Sequence, residues 1–249
     1  MHDVEYVNAV KSGKPRELAE SQGFTWDPGF WPMVTASNGG VVAAARSAMA
    51  DGVSGSLSSG LHHARAERGS GFCTFNGLVL AAKALLNNQA KSVLILDLDA
   101  HCGGGTHSSI EDDDRIRQID VSVSPVDHYK PSGRNTLNMV RSAGAYLTTI
   151  RSRLSELEQS GSKPDLCLYN AGMDPEERCS IGGLAGITAD ILGEREAIVF
   201  EWAARREIPI AFVLAGGYEG GALKREDLVR LHRMTIQSAS DFARRPLEA

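Results

Sequence analysis

The sequence predicts a single α/β domain: a doubly wound, mainly parallel sheet flanked by helices. Two observations carry that expectation. Three short runs, KSVLILDLD (91–99), DLCLYNAG (165–172) and IPIAFVLAGG (208–217), are apolar on both faces, as strands covered by helices above and below must be. Around them lie longer segments whose apolar residues recur at helical spacing. No repeat, low-complexity tract or linker interrupts the 249 residues, so 1–249 reads as one domain, and 42% hydrophobic content suffices for a sizeable core.

Taken in order, segment 39–52 (GGVVAAARSAMADG) sets Val42, Ala45, Ala48 and Met49 at helical spacing and ends in Gly52. Segment 76–89 is a second apolar helix, capped by Asn76. The first strand follows. A long helical pattern over 135–158 precedes the second strand, and a helix over 188–206 precedes the third, which Pro209 marks. An amphipathic helix over 224–240 comes last.

Composition excludes several classes. The formal net charge is -5, with Lys and Arg spread along the chain, which argues against a nucleic-acid footprint. The four cysteines, Cys73, Cys102, Cys167 and Cys179, form no CxxC pair and no disulfide spacing, as in a reducing compartment. No stretch approaches the roughly 18 apolar residues of a membrane span. The N-terminus is charged from its third residue, unlike a signal peptide. A soluble cytoplasmic protein is expected.

The strand ends carry the chemistry. In ILDLDAHCGGGT (95–106), Asp97, Asp99 and His101 alternate at the end of an apolar run. An unpaired buried carboxylate costs several kcal/mol, so a positive partner has to lie beside them. Ligand sites in open α/β sheets lie outside the carboxyl ends of the strands. That rule brings Asp99 and His101 together with Asp174 of YNAGMDP and Tyr218 of LAGGYEGG. Two aspartates and a histidine from separate strand ends suit a divalent cation with a position left for water, the catalytic pattern for zinc; iron(II) or cobalt(II) suits the same donors. Each residue alone reads more readily as a helix cap or turn residue than as a ligand. The tandem pair His62 and His63, in SSGLHHARAERGSGFCTFN, reads as solvated when taken alone. Beside an activated water, one imidazole can serve as general base and the other as donor to a leaving amine. Asp97 would orient one of them.

Together, GLHHARAERGSGFCTFN, ILDLDAHCGGGT, YNAGMDPEERCSIGGL and VLAGGYEGG resemble the successive motifs of the histone deacetylase family, including its bacterial acetoin-utilisation and amidohydrolase relatives. The wording is closest to the class IV branch, and the resemblance extends over essentially the whole chain. It implies an arginase/deacetylase-like fold and a zinc amidohydrolase that removes an acyl group from acyl-lysine or a small acylated amine. It further implies Asp99, His101 and Asp174 as zinc ligands, His62 held by Asp97 as the base, His63 as the second histidine, and Tyr218 as hydrogen-bond donor to the developing oxyanion. Phe72 would form one wall of an acyl-lysine channel, with Tyr129 facing it (His128 the alternative) and Ile181 at its mouth. Asp97 and Ser122, with nearby carbonyls, match the family's potassium site.

The sequence departs from that family in three places. The family follows its metal-site histidine with Gly-Asn-Gly or Gly-Asp-Gly, whereas here Cys102 is followed by Gly103, Gly104 and Gly105. The side chain that would orient His63 is therefore expected to be missing. The HD-x-x-YV segment begins at His2, without the strand and helix that normally precede it, so an exposed sheet edge able to pair with a second copy is expected. The channel segment PVDHYKP is more polar than its counterparts. Arginases share the fold and an Asp-Ala-His turn, but 103–105 and 175–177 supply few candidates for the ligands of a second metal, and the tandem His62 and His63 point the other way. A deacetylase-like protein that binds zinc or an acylated partner without turnover is the alternative from another class.

Overall fold

The computed structural model describes residues 1–87, 89–220 and 222–243. Chain order is α1 (Val4–Ser12), α2 (Arg16–Ala19), α3 (Phe30–Asp51), β1 (Val53–Ser56), α4 (Gly77–Leu86), β2 (Val93–Asp97), α5 (Gly104–Ile110), β3 (Ile116–Ser122), β4 (Thr136–Met139), α6 (Ala143–Gln159), β5 (Leu166–Gly172), α7 (Ala189–Arg205), β6 (Ile210–Ala215) and α8 (Arg225–Ala243). The strands form one sheet in the order β1-β6-β5-β2-β3-β4, every pair parallel.

Strand alternation divides the core into two layers. On β2, Val93 and Ile95 face a cluster with Val41 and Ala45 of α3 and Leu78, Ala82 and Leu85 of α4. Leu94 and Leu96 face the other side, against Tyr146 and Ile150 of α6, Val199 and Trp202 of α7, and Leu231 of α8. Both faces are covered by helices, which is why β2 and β5 are fully buried and apolar until Asp97 and Asn170 near their carboxyl ends.

Strand order places the site. From β2 the chain moves outward through β3 to β4, and from β5 outward through β6, while β2 and β5 lie side by side with Asp97 opposite Asn170. The winding direction reverses between these two strands, and the crevice at their carboxyl ends is where such a sheet holds a ligand.

Most predicted elements stand near their expected bounds. The Asn76 side chain caps α4 by accepting from the Val79 N–H at 3.1 Å, and Thr188 caps α7 in the same way. Two expectations are corrected: the helix expected over 39–52 already begins at Phe30, and 135–158 is not one helix. Residues Thr136–Met139 add the edge strand β4, and the helix starts at Ala143. Strands β1 and β3 went unpredicted, because Val-Ser-Gly-Ser carries little apolar signal and IRQIDVS interrupts its own with Arg117, Gln118 and Asp120. Before β1, the segment α1–α2 packs Tyr6 and Val10 against Phe30, Val34 and Phe75. The edges of the sheet are β1 and β4. Among the described residues, no helix is long and apolar enough to cross a membrane.

Candidate metal and catalytic site

The carboxyl ends of β2 and β5 converge on Asp99, His101 and Asp174. One potential ligand atom from each lies within 4.8 Å of the others, and all three residues are buried. His101 Nδ1 is 3.1 Å from Asp99 Oδ1 and 3.0 Å from Asp174 Oδ2. The Ala100 N–H donates to Asp174 Oδ1, while the buried Oδ2 makes no well-aligned hydrogen bond and has the His101 ring nitrogen as its polar neighbour. An inward-facing carboxylate oxygen left in that state is what a cation site requires, so the residues fit a divalent ion. Gly216 borders the pocket with φ +56, and a Cβ there would run into the Asp174 carboxylate.

Charge is unevenly distributed over this group. Burial opposes protonation of His101, yet Asp174 and Asp99 outweigh it and raise its pKa to about 9. Burial likewise opposes ionisation of Asp99, but His62 and His101 hold its pKa well below the usual carboxylate range. Burial, then the Asp99 charge, pushes Asp174 upward. Without a metal, a protonated His101 is the internal counterion of the two aspartates.

The tandem histidines enter from the loop between β1 and α4. His62 Nδ1 is 2.8 Å from Asp97 Oδ2, and its Nε2 is 3.6 Å from Asp99 Oδ1. Asp97 Oδ1 accepts from the Asn170 side chain at 2.8 Å, so the opposite residue on β5 secures the carboxylate. His63 Nε2 is 3.2 Å from His62 Nε2, and His63 Nδ1 is 2.9 Å from Asp127 Oδ2. His63 therefore has a carboxylate partner after all, supplied by the loop between β3 and β4 instead of by residue 104. The two rings differ electrostatically. Burial opposes charge on His62, but Asp97 and Asp99 raise its pKa well above the ordinary value. Burial and the neighbouring His62 lower that of His63. Adjacent groups pushed in opposite directions are the mark of an acid/base pair.

The loop carrying both rings is tied down from several sides. Asn76 Nδ2 donates to Thr106 Oγ1 at 2.9 Å and to the His62 carbonyl at 3.3 Å. His2 is structural: its ring bridges the Arg65 carbonyl at 2.8 Å and the Asn76 N–H at 2.9 Å.

The remaining sequence-predicted residues divide. Tyr218 sits edge-on to His101 with ring centroids 6.4 Å apart, and its N–H donates to Cys179 Sγ at 3.3 Å. Burial, Asp174 and Asp99 raise its pKa, so the hydroxyl keeps its proton and can donate it. Phe72 is half exposed beside the site, and Ile181 is exposed. Tyr129, expected as the wall facing Phe72, turns inward to a buried carboxylate: its ring stacks on His107 at 4.4 Å and its hydroxyl donates to Asp120 Oδ2 at 3.2 Å. His128 is exposed on the same loop. The aromatic beside Phe72 is Phe24, ring centroids 5.2 Å apart, from a segment anchored by the Phe72 N–H on the Gln22 carbonyl.

Ser122 Oγ contacts the carboxylate of Asp120 and lies 3.2 Å from the His101 carbonyl. Asp120 is directly opposite Asp97 in the strand register, and burial together with Asp97 raises its pKa. Sequence reading missed it, although its signal, an aspartate on a buried strand, is the one that identified Asp97. Arg195 and Glu196 were missed too. They form a fully buried ion pair at 2.5 Å, and Arg195 Nη1 donates to the Gly172 and Leu98 carbonyls, which flank the ligand-bearing turns.

A single parallel six-stranded sheet flanked by helices, with its winding reversed between β2 and β5, is an arginase/deacetylase-like α/β fold. The crystal structure of an acetylpolyamine aminohydrolase from Burkholderia pseudomallei superposes with a TM-score of 0.76 at 21% identity, covering 97% of this chain and 81% of that one. Residues 1–228 match the histone deacetylase domain family. An uncharacterized protein of Picosynechococcus sp. is 31% identical over 247 residues, covering 97% of this chain and 80% of its own length. Histone deacetylase 2 of Arabidopsis thaliana is 29% identical over 233 residues, with 88% of this chain matching 59% of that protein. The chain belongs to the histone deacetylase family and is an enzyme of its deacetylase and amidohydrolase type.

Proposed function

We propose that the protein is a metal-dependent deacylase that cleaves the amide of an acyl-lysine or a small acylated amine in the cytoplasm, with zinc as its ion. The observation that carries this reading is the proximity of two assemblies: the Asp99–His101–Asp174 ligand set, and a tandem-histidine pair with a carboxylate on each Nδ1. Asp99, His101 and Asp174 would hold the ion, which when bound supplies Lewis acidity toward the amide carbonyl and lowers the pKa of water. His62 and His63 handle the protons: the pair accepts one from the attacking water and returns one to the amine nitrogen as the C–N bond breaks. Tyr218 donates its hydroxyl proton toward the carbonyl oxygen as charge develops there. Phe72 and Phe24 offer the acyl or alkyl chain an apolar wall, and Ile181 a rim contact. Asp97, Ser122 and the His101 carbonyl would hold potassium.

The substrate alternatives follow the relatives, which include histone deacetylases, an acetylpolyamine aminohydrolase and Acetoin utilization protein AcuC of Staphylococcus aureus. The reading without turnover loses one of its motives, because Asp127 fills the role expected to be vacant at Gly104. Pairing of two copies along an exposed sheet edge belongs to the same proposal.

Elemental analysis of protein purified without chelator, with assays on acetyl-lysine, longer acyl-lysine and acetylated-polyamine probes, tests the reading. About one zinc per chain with turnover is expected. One zinc without turnover would turn the site into a binding module, and no metal would overturn the ligand assignment.

A further inference from the structure

We propose that Asp127, clamped by Arg65, is the positioning residue of His63, fixing which ring nitrogen carries the proton and the plane in which the other faces His62. The kinetic part of this inference rests on the deacylase reading; its structural part does not.

A neutral imidazole has two tautomers, and the partner of one nitrogen decides which is populated. With a carboxylate oxygen 2.9 Å from Nδ1, the His63 proton is held on Nδ1, and the Nε2 lone pair faces His62 Nε2 at 3.2 Å. His62 has the same arrangement, with Asp97 at 2.8 Å. The tandem pair is thus two rings pinned from behind with their Nε2 atoms converging.

Asp127 is itself fixed. Its Oδ1 accepts from Arg65 Nη2 and its Oδ2 from the Gly105 N–H at 3.1 Å. Arg65 Nη1 donates onward to the Gly104 carbonyl at 2.9 Å and to Ser108 Oγ at 3.3 Å, so one guanidinium, two residues on from His63, links the carboxylate to the start of α5. A surface ion pair alone accounts poorly for this, since such pairs contribute little and the Asp127 side chain is only 11% exposed. Arg65 also supplies a countercharge to Asp127. The carboxylate can orient His63 without drawing a second proton onto it.

Gly104 is the complement. A Cβ there would lie 2.5 Å from the Asp127 carbonyl and 2.6 Å from its Oδ1. Residue 104 has no side chain because the side chain of residue 127 uses that space.

The test uses the zinc-loaded full chain and Asp127→Gly, a change that suits the backbone, since Asp127 has φ +58 and glycine adopts that conformation without strain. Nitrogen-15 NMR of labelled histidine reads the His63 tautomer directly. The Nδ1–H form is expected in the parent and a mixture in Asp127→Gly, with metal content and melting otherwise retained. In turnover, kcat should fall by about tenfold to a hundredfold, as for loss of a group that orients a site residue, with KM within about twofold. Added formate should restore part of the kcat of Asp127→Gly and none in the parent. An unchanged tautomer, or parental kcat in an enzyme whose parent turns over, overturns the inference. If the parent hydrolyses no probe, the deacylase reading falls and the tautomer alone decides the role of Asp127.

Discussion

Asp97 and Asp127 do comparable work from different kinds of backbone. Asp97 lies at the end of β2, fully buried, with paired strands on both sides and Asn170 opposite it. Asp127 lies on a loop between two strands, in the left-handed region, held by an arginine and by room left at a glycine. The first half of the site is fixed by the sheet: moving it means breaking the register of β2 and β5. The second half is assembled from side chains on loops, and it can be altered with the fold intact. Damage to the strand-borne half should therefore remove metal or fold together with activity, and damage to the loop-borne half should remove rate alone.

The largest effects fall one on each half: Asp174 follows β5, whereas His62 lies on a loop. Asp174→Ala should abolish hydrolysis and lower bound zinc well below one per chain, because it deletes one of the three side chains of the candidate ligand set. His62→Ala should keep the metal and lower kcat by on the order of 10³ or more, at the upper part of the range for a general acid or base. Metal analysis and kinetics on the same preparations separate the two. Full zinc occupancy in Asp174→Ala would remove that residue from the ligand set.

A smaller effect distinguishes the halves by pH. In metal-free protein, His101 has a pKa of about 9 against an ordinary value near 6.5. A raised histidine stabilises the fold fully below pH 6.5 and ceases to do so as pH rises through about 9. His62, also raised, acts in the same sense. Asp174, raised by burial and by Asp99, costs stability once ionised, which again disfavours the metal-free protein at higher pH. Metal binding needs neutral imidazole and ionised carboxylates and so strengthens in that direction. The gap in Tm between zinc-loaded and chelated protein should widen from pH 6.5 to 9, by several degrees if the difference reaches about 1–2 kcal/mol. Asp127→Gly should leave that gap as it is. A constant gap would show that the aspartates and His101 are not one another's counterions.

The same division explains what the sequence made legible. Strands β2, β5 and β6 announce themselves by double-sided apolarity, and a charged residue in such a run has so few bland explanations that Asp97, Asp99, His101 and Asp174 could be gathered from strand-end position alone. Loops have no such rule. In PVDHYKP, the choice of Asp127, His128 or Tyr129 as the residue facing His63 depends on a left-handed φ at Asp127, which no pattern in those letters specifies. Tyr129 was consequently expected in the channel, while its hydroxyl found Asp120. Arg195 and Glu196 were hidden for a related reason. In GEREAIVFEW they look like the solvated face of a helix, and only the approach of α7 to the ends of β2 and β5 makes them buried. The tail of 135–158 was a helix, but its first turn was claimed by the edge of β3, which pairs with Thr136–Met139.

The smallest expected change is the sharpest test of the loop-borne half. Gly104→Ala adds one methyl group, and the backbone carbonyl of Asp127, 2.5 Å from where it would sit, has no rotamer by which to move aside. Either the start of α5 or the loop at 127 shifts by some tenths of an ångström. In both cases the Asp127 carboxylate leaves its line with His63 Nδ1 while Asp99, His101 and Asp174 stay in place. kcat should fall by about threefold to tenfold, as expected for a sub-ångström misplacement of a proton-handling group, with zinc content at the parental value. Gly144→Ala, in α6 with no atom near its would-be Cβ, is the control: it should leave kcat alone and, as an alanine in a helix, stabilise slightly. If Gly104→Ala instead lost zinc, the loop would prove to be part of the metal support, and the line drawn between the two halves would have to move.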